Sequence, residues 1–125
     1  MPEKRKVTFR IPYPRDKAGF CKRFGLNAYW SGKHWGKRKR DSEEVHETVR
    51  WCLIQQHIHH MDLGPVRITF QHNDNLDVDN HAAIEKMIVD ALKGWLIPDD
   101  NKKWYREKIS RFGGGDAIVV TVEEI

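Results

Sequence analysis

The chain has 125 residues and a formal net charge of +4, with 39% hydrophobic and 32% charged residues. This length and composition are typical of one compact domain, residues 1–125, and leave no room for two independent cores. No apolar run reaches the roughly 20 residues that span a bilayer, and the first residues lack the apolar core of a signal peptide, so we expect a cytoplasmic protein without a membrane partner.

The charge is distributed unevenly along the chain. Residues 1–40 contain 13 Lys and Arg against 2 Asp and Glu, a balance of +11, whereas residues 41–125 contain 9 against 16, a balance of −7. A basic segment joined to an acidic remainder indicates a polyanionic partner and a separate acidic site.

The first half of the chain predicts two strands and one helix. Alternating apolar residues in "KVTFRIPY" (6–13) predict a half-buried strand, and residues 15–40, with no clean period, predict an exposed basic loop. Asp41 and Glu44 have the spacing of a capping box, so we expect a helix from Asp41 to about Met61. "VRITFQ" (66–71) alternates again and predicts the second strand.

The second half predicts a helix followed by a hairpin. Apolar residues from Ile84 to Trp95 recur at helical spacing and predict a helix over about 81–95, which Pro98 cannot continue. "REKISRF" (106–112) and "DAIVVTVEE" (116–124) flank three glycines and predict a β-hairpin. The order of elements indicates an α+β or mixed α/β sandwich with helices packed on one small sheet, and of these we expect an α+β fold with a small mixed sheet.

The cysteines and histidines form no plausible zinc set. Cys21 and Cys52 are far apart in the chain, and we expect both to be reduced thiols, although a disulfide between them is not ruled out by the spacing. The "HIHH" cluster (57–60) is typical of a surface segment or of the tail of a helix.

Two acidic pairs flank the helix predicted over 81–95. "LDVDN" (76–80) contains Asp77 and Asp79, and "PDDN" (98–101) contains Asp99 and Asp100. Asp79 and Asp99 are each suited to cap a helix or a turn, but capping does not explain Asp77 or Asp100. In an extended D-x-D both side chains project to one face and offer the oxygen ligands that Mg²⁺ prefers. A bound cation would relieve the repulsion among four carboxylates, and it is what phosphodiester cleavage requires.

These residues lie in a motif that resembles a known family. "LDVDNHAAIEKMIVDALKGWLIPDDN" (76–101) resembles the signature of RusA-type Holliday junction resolvases: D-x-D-N, then a helix with K-x-x-x-D-A-L-x-G, then D-D. "LNAYW" (26–30) resembles the N-x-Y-W segment of that family. The resemblance covers nearly the whole chain.

The resemblance implies a RusA-like, dimeric, Mg²⁺-dependent DNA endonuclease, of bacterial or phage origin, that cleaves four-way junctions. Mn²⁺ is expected to substitute for Mg²⁺, and no small-molecule substrate is expected. Catalytic roles are implied for Asp77, Asp79, Asp100 and Lys86, and metal ligation for Asp77, Asp79, Asp99 and Asp100. Lys86 lies six residues after Asn80, three more than in the bacterial pattern, which moves it about 4.5 Å along a helix. Lys86 has an alternative role as the i,i+4 partner of Asp90.

Phosphate contacts are expected from the basic segment at about 15–40. The candidate DNA-binding residues are Lys33, Lys37, Arg38, Lys39, Arg40, Asn27, Tyr29 and Trp30. The cations would bind phosphates and an aromatic ring would stack on exposed bases. The alternative is a solvated basic loop, with Trp30 in the core.

Three questions stay open at this stage. A helix of 15 residues is about 22 Å long, so "PDDN" must double back or the site must use a second chain. Trp51, Ile54 and Ile58 lie off the main apolar stripe of the helix at 41–61, which fits either a homodimer interface or a deeply buried helix. The alternatives to a junction resolvase are a DNA-binding module without activity and a metal-dependent nuclease acting on flaps or forks.

Overall fold

The structure is a computed structural model that describes residues 3–25 and 35–125. Within these residues the chain forms four strands, three α-helices and one short 3-10 helix. In chain order they are β1 (Lys6–Pro12), α1 (Lys17–Phe24), α2 (Trp35–Gln55), β2 (Val66–His72), the 3-10 helix (Val78–His81), α3 (Ala82–Leu92), β3 (Tyr105–Phe112) and β4 (Ala117–Glu124).

The described strands form one mixed sheet in the order β1-β4-β2-β3. β4 is antiparallel to both β1 and β2, whereas β3 is parallel to β2. The chain from β2 through the 3-10 helix and α3 to β3 is therefore a crossover between parallel strands. The predicted α+β class with a small mixed sheet is confirmed.

One face of the sheet packs against α2 and α3. The strands contribute alternate apolar side chains to this core, among them Phe9, Ile68, Phe70, Val120 and Val122. The predicted stripes of both helices are buried there, with Val45, Val49, Cys52 and Leu53 from α2 and Ile84, Met87, Ile88, Ala91 and Leu92 from α3. None of the helices in the described part of the chain is both long and apolar enough to cross a membrane.

The prediction that residues 15–40 form a loop is wrong in two places. Asp16 caps α1, since its carboxylate accepts the backbone N–H of Gly19 at 2.9 Å. The "KRKR" run at 37–40 belongs to the first turns of α2. Lys and Arg have good helix propensity, but a run of them has no apolar periodicity from which a helix could be predicted.

The expected capping box at Asp41 and Glu44 is also wrong. Asp41 is buried in the interior of α2, not at its start. Its carboxylate accepts Nε of Arg23 from α1 at 2.7 Å, and Glu44 accepts the same guanidinium. The two acidic residues therefore connect α1 to α2.

α2 ends at Gln55, six residues before the predicted end. His57 takes the left-handed conformation, with φ of 59°, and the N–H of Ile58 reaches back to the carbonyl of Leu53 at 2.9 Å. This arrangement resembles the usual glycine-capped helix end. Because a histidine holds the position that glycine favours, the sequence carried no stop signal there.

α3 is shorter than the predicted 81–95 helix and ends at Leu92. Gly94 has φ of +78°, and its N–H donates to the carbonyl of Ile97 at 2.8 Å. Arg50 from α2 donates to the carbonyls of Ala91 (2.6 Å) and Lys93 (2.8 Å), which satisfies acceptors at the helix end. The chain then turns back, with Leu96 and Ile97 buried.

The predicted hairpin of β3 and β4 is wrong. The two strands are not neighbours, because β2 lies between them, and the connection at 113–116 crosses the end of β2. The N–H of Gly113 bonds to the carbonyl of His72 there. Burial explains the order: β4 has apolar residues for a central position, whereas β3 is largely exposed on both faces and forms an edge.

Both cysteines are free, as expected. Cys52 is buried in the core, and burial raises the pKa of its thiol.

Candidate active site

Asp77 and Asp79 lie at the turn that begins the crossover from β2. Asp77 is extended and directly precedes the 3-10 helix, which contains Asp79. The expectation of an extended D-x-D is therefore wrong beyond Asp77. Both side chains are exposed, and neither carboxylate has a hydrogen bond or ion pair with any described residue. They do not cap the helix, so both remain available to a ligand.

Asp99 and Asp100 differ in their surroundings. Asp99 builds a turn: one carboxylate oxygen accepts the N–H of Asp100 at 2.8 Å and the other accepts Nδ2 of Asn101 at 3.1 Å. The N–H of Asp100 is the main cause that lowers the pKa of Asp99. Asp100 is half-buried and lies 3.7 Å from Nζ of Lys93. The turn role expected as an alternative for Asp99 is thus confirmed, and Asp100 lies beside α3.

Asp100 and Lys86 line one pocket in a single chain. The pocket holds about 210 Å³ and is bounded by Ala82, Glu85, Lys86, Asp100, Tyr105 and Lys108. The pocket extends along α3 from Ala82 to Val89, so Asp100 lies beside this helix, whereas Asp77 and Asp79 do not line the pocket. The sequence left open whether "PDDN" doubles back or the site uses a second chain. In the structure "PDDN" doubles back alongside α3.

Among the described residues, the side chain of Lys86 makes only a long, exposed ion pair. Its Nζ is 3.8 Å from Asp90, and its side chain is 73% exposed. Asp90 is closer to Lys93, at 3.3 Å. The i,i+4 pair exists, but an exposed pair of this length contributes little to stability and leaves Lys86 accessible to a ligand.

Glu85 is a residue of the pocket that the sequence did not predict. Only 2% of it is exposed, and its carboxylate accepts three side-chain donors: His72 Nε2 (2.8 Å), Ser110 Oγ (2.7 Å) and Lys108 Nζ (2.9 Å). Burial acts to raise the pKa of Glu85, but these bonds outweigh it and hold the pKa below its ordinary value. Glu85 is therefore a charged residue that joins β2, α3 and β3 at the floor of the pocket.

Tyr105 lies on the same pocket at the start of β3. Burial, followed by the negative charges of Glu85 and Asp100, raises the pKa of Tyr105 to about 12. Its hydroxyl therefore stays protonated, and it has no hydrogen-bond partner among the described residues.

A second polar network lies next to the turn that contains Asp77 and Asp79. Nε2 of His81 is 2.8 Å from Asp74, which also accepts the Tyr13 hydroxyl at 2.8 Å. Burial acts to raise the pKa of Asp74, but the bonds from His81, Tyr13 and the N–H of Leu76 lower it overall. Asp74 therefore holds His81, the last residue of the 3-10 helix.

His72, Asp74 and His81 are the group of potential metal ligands in the described residues, with donor atoms within 4.8 Å of one another. The two imidazole rings stack, with centroids 3.7 Å apart and planes at 14°. A ring nitrogen presents its lone pair in the ring plane, so two nearly parallel rings direct their lone pairs side by side and not at one ion. In this arrangement His81 bonds to Asp74, whereas His72 bonds to Glu85 through Nε2 and its buried Nδ1 has no hydrogen-bond partner among the described residues.

The basic segment can be located in part. Lys37, Lys39 and Arg40 are exposed on the first turns of α2, and Arg38 is half-buried. The candidate DNA-binding residues Asn27, Tyr29, Trp30 and Lys33 lie outside the described residues. His57, His59 and His60 are exposed, as expected, and His60 stacks on Trp95.

Comparison of the chain with protein-family models and with curated proteins finds no match in either.

Proposed function

We propose that this protein is a metal-dependent DNA endonuclease of the RusA type, which cleaves branched DNA and resolves four-way junctions. The observation that carries the proposal is the position of the motif residues: Asp77 and Asp79 are exposed before α3, without a side-chain partner among the described residues, and Asp100 lines a pocket with Lys86 beside that helix. Capping, the alternative role of Asp79, does not account for it, because no side chain caps the 3-10 helix.

Aspartates are the type of ligand that a hard divalent cation takes, although Asp77, Asp79 and Asp100 do not form a compact ligand group in the described residues. Asp77, Asp79 and Asp100 offer carboxylate oxygens, which suit Mg²⁺ and Mn²⁺ better than softer metals. Asp99 would support Asp100 through the turn and is the weaker candidate ligand, because both of its oxygens already accept hydrogen bonds. When bound, the ion would activate a water and offset charge on the phosphate.

Lys86 is suited to orient the phosphodiester. Its ammonium is accessible, and it lies on the pocket that Asp100 lines. A cation placed there would contact a non-bridging or leaving oxygen, where negative charge develops during cleavage.

The exposed cations at the start of α2 would hold the DNA arms by their phosphates. A junction requires two symmetrical cuts, and a homodimer presents two identical sites across its own two-fold axis. Trp51 and Ile54, which are 58% and 54% exposed on α2, supply apolar surface for such an interface. Ile58 is not part of this surface, since it packs partly against the core.

The test of this function is a cleavage assay with labelled DNA of four shapes: a four-way junction, a flap, a fork and a linear duplex. We expect Mg²⁺ or Mn²⁺ to support cleavage of the junction in preference to the duplex, and EDTA to abolish it. Preference for flaps or forks would replace resolution by a repair nuclease function. Tight junction binding with no cleavage under either metal would leave a DNA-binding module.

A further inference from the structure

The pocket beside α3 holds two lysines, and the proposed function uses only one of them. Lys108 projects from the edge strand β3 on the face that packs towards α3, since it pairs in register with the core residue Ile68. It lines the pocket with Lys86 and Asp100. Its side chain is 42% exposed although its ammonium is fixed on a buried carboxylate.

We propose that Lys108, together with the Tyr105 hydroxyl, forms an oxyanion subsite that binds a non-bridging oxygen of the phosphodiester. This inference rests on the proposed nuclease function and extends its site by two residues.

The donors of the pocket support this assignment. An ammonium has three N–H donors, and the one described partner of Lys108 is Oε1 of Glu85 at 2.9 Å. The Tyr105 hydroxyl is a protonated donor with no partner among the described residues. Both residues thus have unused hydrogen-bond donors beside Lys86, and phosphate oxygens are strong acceptors of charge-assisted hydrogen bonds.

Glu85 acts as a positioning residue for Lys108. Its second oxygen is already bonded to His72 and Ser110, so the carboxylate is fixed from β2 and β3 before Lys108 binds. A long lysine side chain loses considerable entropy when it is ordered. Because the ion pair with Glu85 already orders Lys108 in the folded protein, this entropy is not lost again when the substrate binds.

The pocket is balanced in charge without a substrate. Lys86 and Lys108 offset Glu85 and Asp100, so the pocket alone attracts an anion only weakly. A divalent cation on the acidic residues would leave an excess of positive charge, which a phosphodiester anion matches. We therefore expect binding of simple phosphate in the millimolar range and a larger effect of Lys108 on turnover than on DNA affinity.

The competing explanation is that Lys108 only neutralises buried Glu85. Four variants separate the two roles: Lys108→Met, Lys108→Arg, the pair Glu85→Gln with Lys108→Met, and Lys6→Gln as a control lysine on the opposite edge strand. If Lys108 is only a counter-ion, the paired variant removes both charges and recovers wild-type turnover. If it contacts the phosphate, the pair stays as impaired as Lys108→Met.

The kinetic experiment measures kcat and KM on the labelled four-way junction with Mg²⁺, after circular dichroism has shown that each variant is folded. We expect Lys108→Met and the paired variant to lower kcat by about 30-fold or more with KM changed less than about threefold, and Lys108→Arg to regain much of the loss. Tyr105→Phe should lower kcat by about 3- to 10-fold. Recovery by the paired variant overturns the proposal.

A second readout does not depend on nuclease activity. Inorganic phosphate is titrated into wild-type protein without metal, and the lysine ¹³Cε–¹Hε and tyrosine ring NMR signals are followed, with KCl at equal ionic strength as the control. Phosphate-specific shifts at Lys86, Lys108 and Tyr105, but not Lys6, support the subsite even if no DNA is cleaved, in which case the nuclease function alone fails. Equal responses to phosphate and chloride overturn it.

Discussion

At the scale of single residues, Glu85 shows what the sequence does not reveal. In the chain it is one acidic residue in an amphipathic helix, next to Lys86. Its donors come from His72, Lys108 and Ser110, which lie 13, 23 and 25 residues away. Only the crossover from β2 to β3 brings them together, so no local pattern predicts this buried charge. Asp77 and Asp79, in contrast, are candidates from the sequence because D-x-D-N, an amphipathic helix and D-D follow one another in the chain.

Glu124 allows a prediction about acid stability. Its carboxylate accepts the N–H groups of Gly64 and Arg5 and pairs with the Arg5 guanidinium, and the Arg5 side chain first among these lowers the pKa of Glu124 to about 2. Because the pKa is lower in the folded state, the stabilisation is present above pH of about 4.5 and is lost as the pH falls towards 2.

We expect Glu124→Gln to lower the free energy of unfolding by about 1–2 kcal/mol at pH 7, a value discounted for solvent screening. Near pH 2 the difference from wild type should approach zero. Urea unfolding at both pH values checks this, with Glu3→Gln, an exposed residue, as the control. A difference that does not change with pH would contradict the role of the charge.

At the scale of elements, predictions succeeded where one residue pattern decided the outcome. β1, β2 and the apolar stripes of α2 and α3 follow alternation or helical spacing that the core enforces. Sheet order was not predictable in this way. A glycine-rich link between two strands favours a hairpin locally, but the apolar residues of β4 are better buried between β1 and β2. The predicted ends of α2 were wrong for a similar reason. Asp41 bonds to α1 and does not cap α2, and His57 takes the left-handed conformation that a glycine usually takes at a helix end.

Gly94 ends α3 and directs the chain back towards Asp100. Its φ of +78° disfavours any residue with a Cβ, although a Cβ there would meet no atom within 4 Å. We therefore expect Gly94→Ala to lower stability by about 1 kcal/mol through backbone strain alone. Gly114→Ala is the matched control, because its surroundings are equally open and its φ is not positive. Equal thermal stability of the two variants would show that the turn is not strained.

The lysines and arginines in the first turns of α2 allow a test of the basic segment. Lys37 and Arg40 are exposed, and alanine preserves helix propensity, so Lys37→Ala with Arg40→Ala should leave folding unchanged. We expect weaker junction binding and a salt dependence, d log K/d log[salt], that is smaller in magnitude by about 1–2. The control pair is Lys4→Ala with Lys6→Ala, which removes the same charge near β1. If the two pairs behave alike, the segment acts only through net charge.

At the scale of the whole molecule, the proposal requires two copies of the chain. We expect a mass of about twice the 14.8 kDa of one chain in light scattering at micromolar concentration. Trp51→Lys should shift the protein towards monomer, because it places a charge on the exposed apolar surface of α2. A wild-type protein that stays monomeric both alone and on junction DNA would contradict symmetrical resolution.

The central claim is that Asp79, in the turn before α3, and Asp100, in the pocket beside α3, carry out metal-dependent phosphodiester cleavage. The most direct measurement compares single-turnover cleavage of a four-way junction by wild type, Asp79→Asn, Asp100→Asn and the control Asp62→Asn, an exposed aspartate outside the pocket. Junction affinity is measured for each in EDTA. We predict that the first two variants lose cleavage by about 1,000-fold or more while affinity is kept or increased, and that Asp62→Asn matches wild type. Wild-type rates for Asp79→Asn or Asp100→Asn would contradict the account.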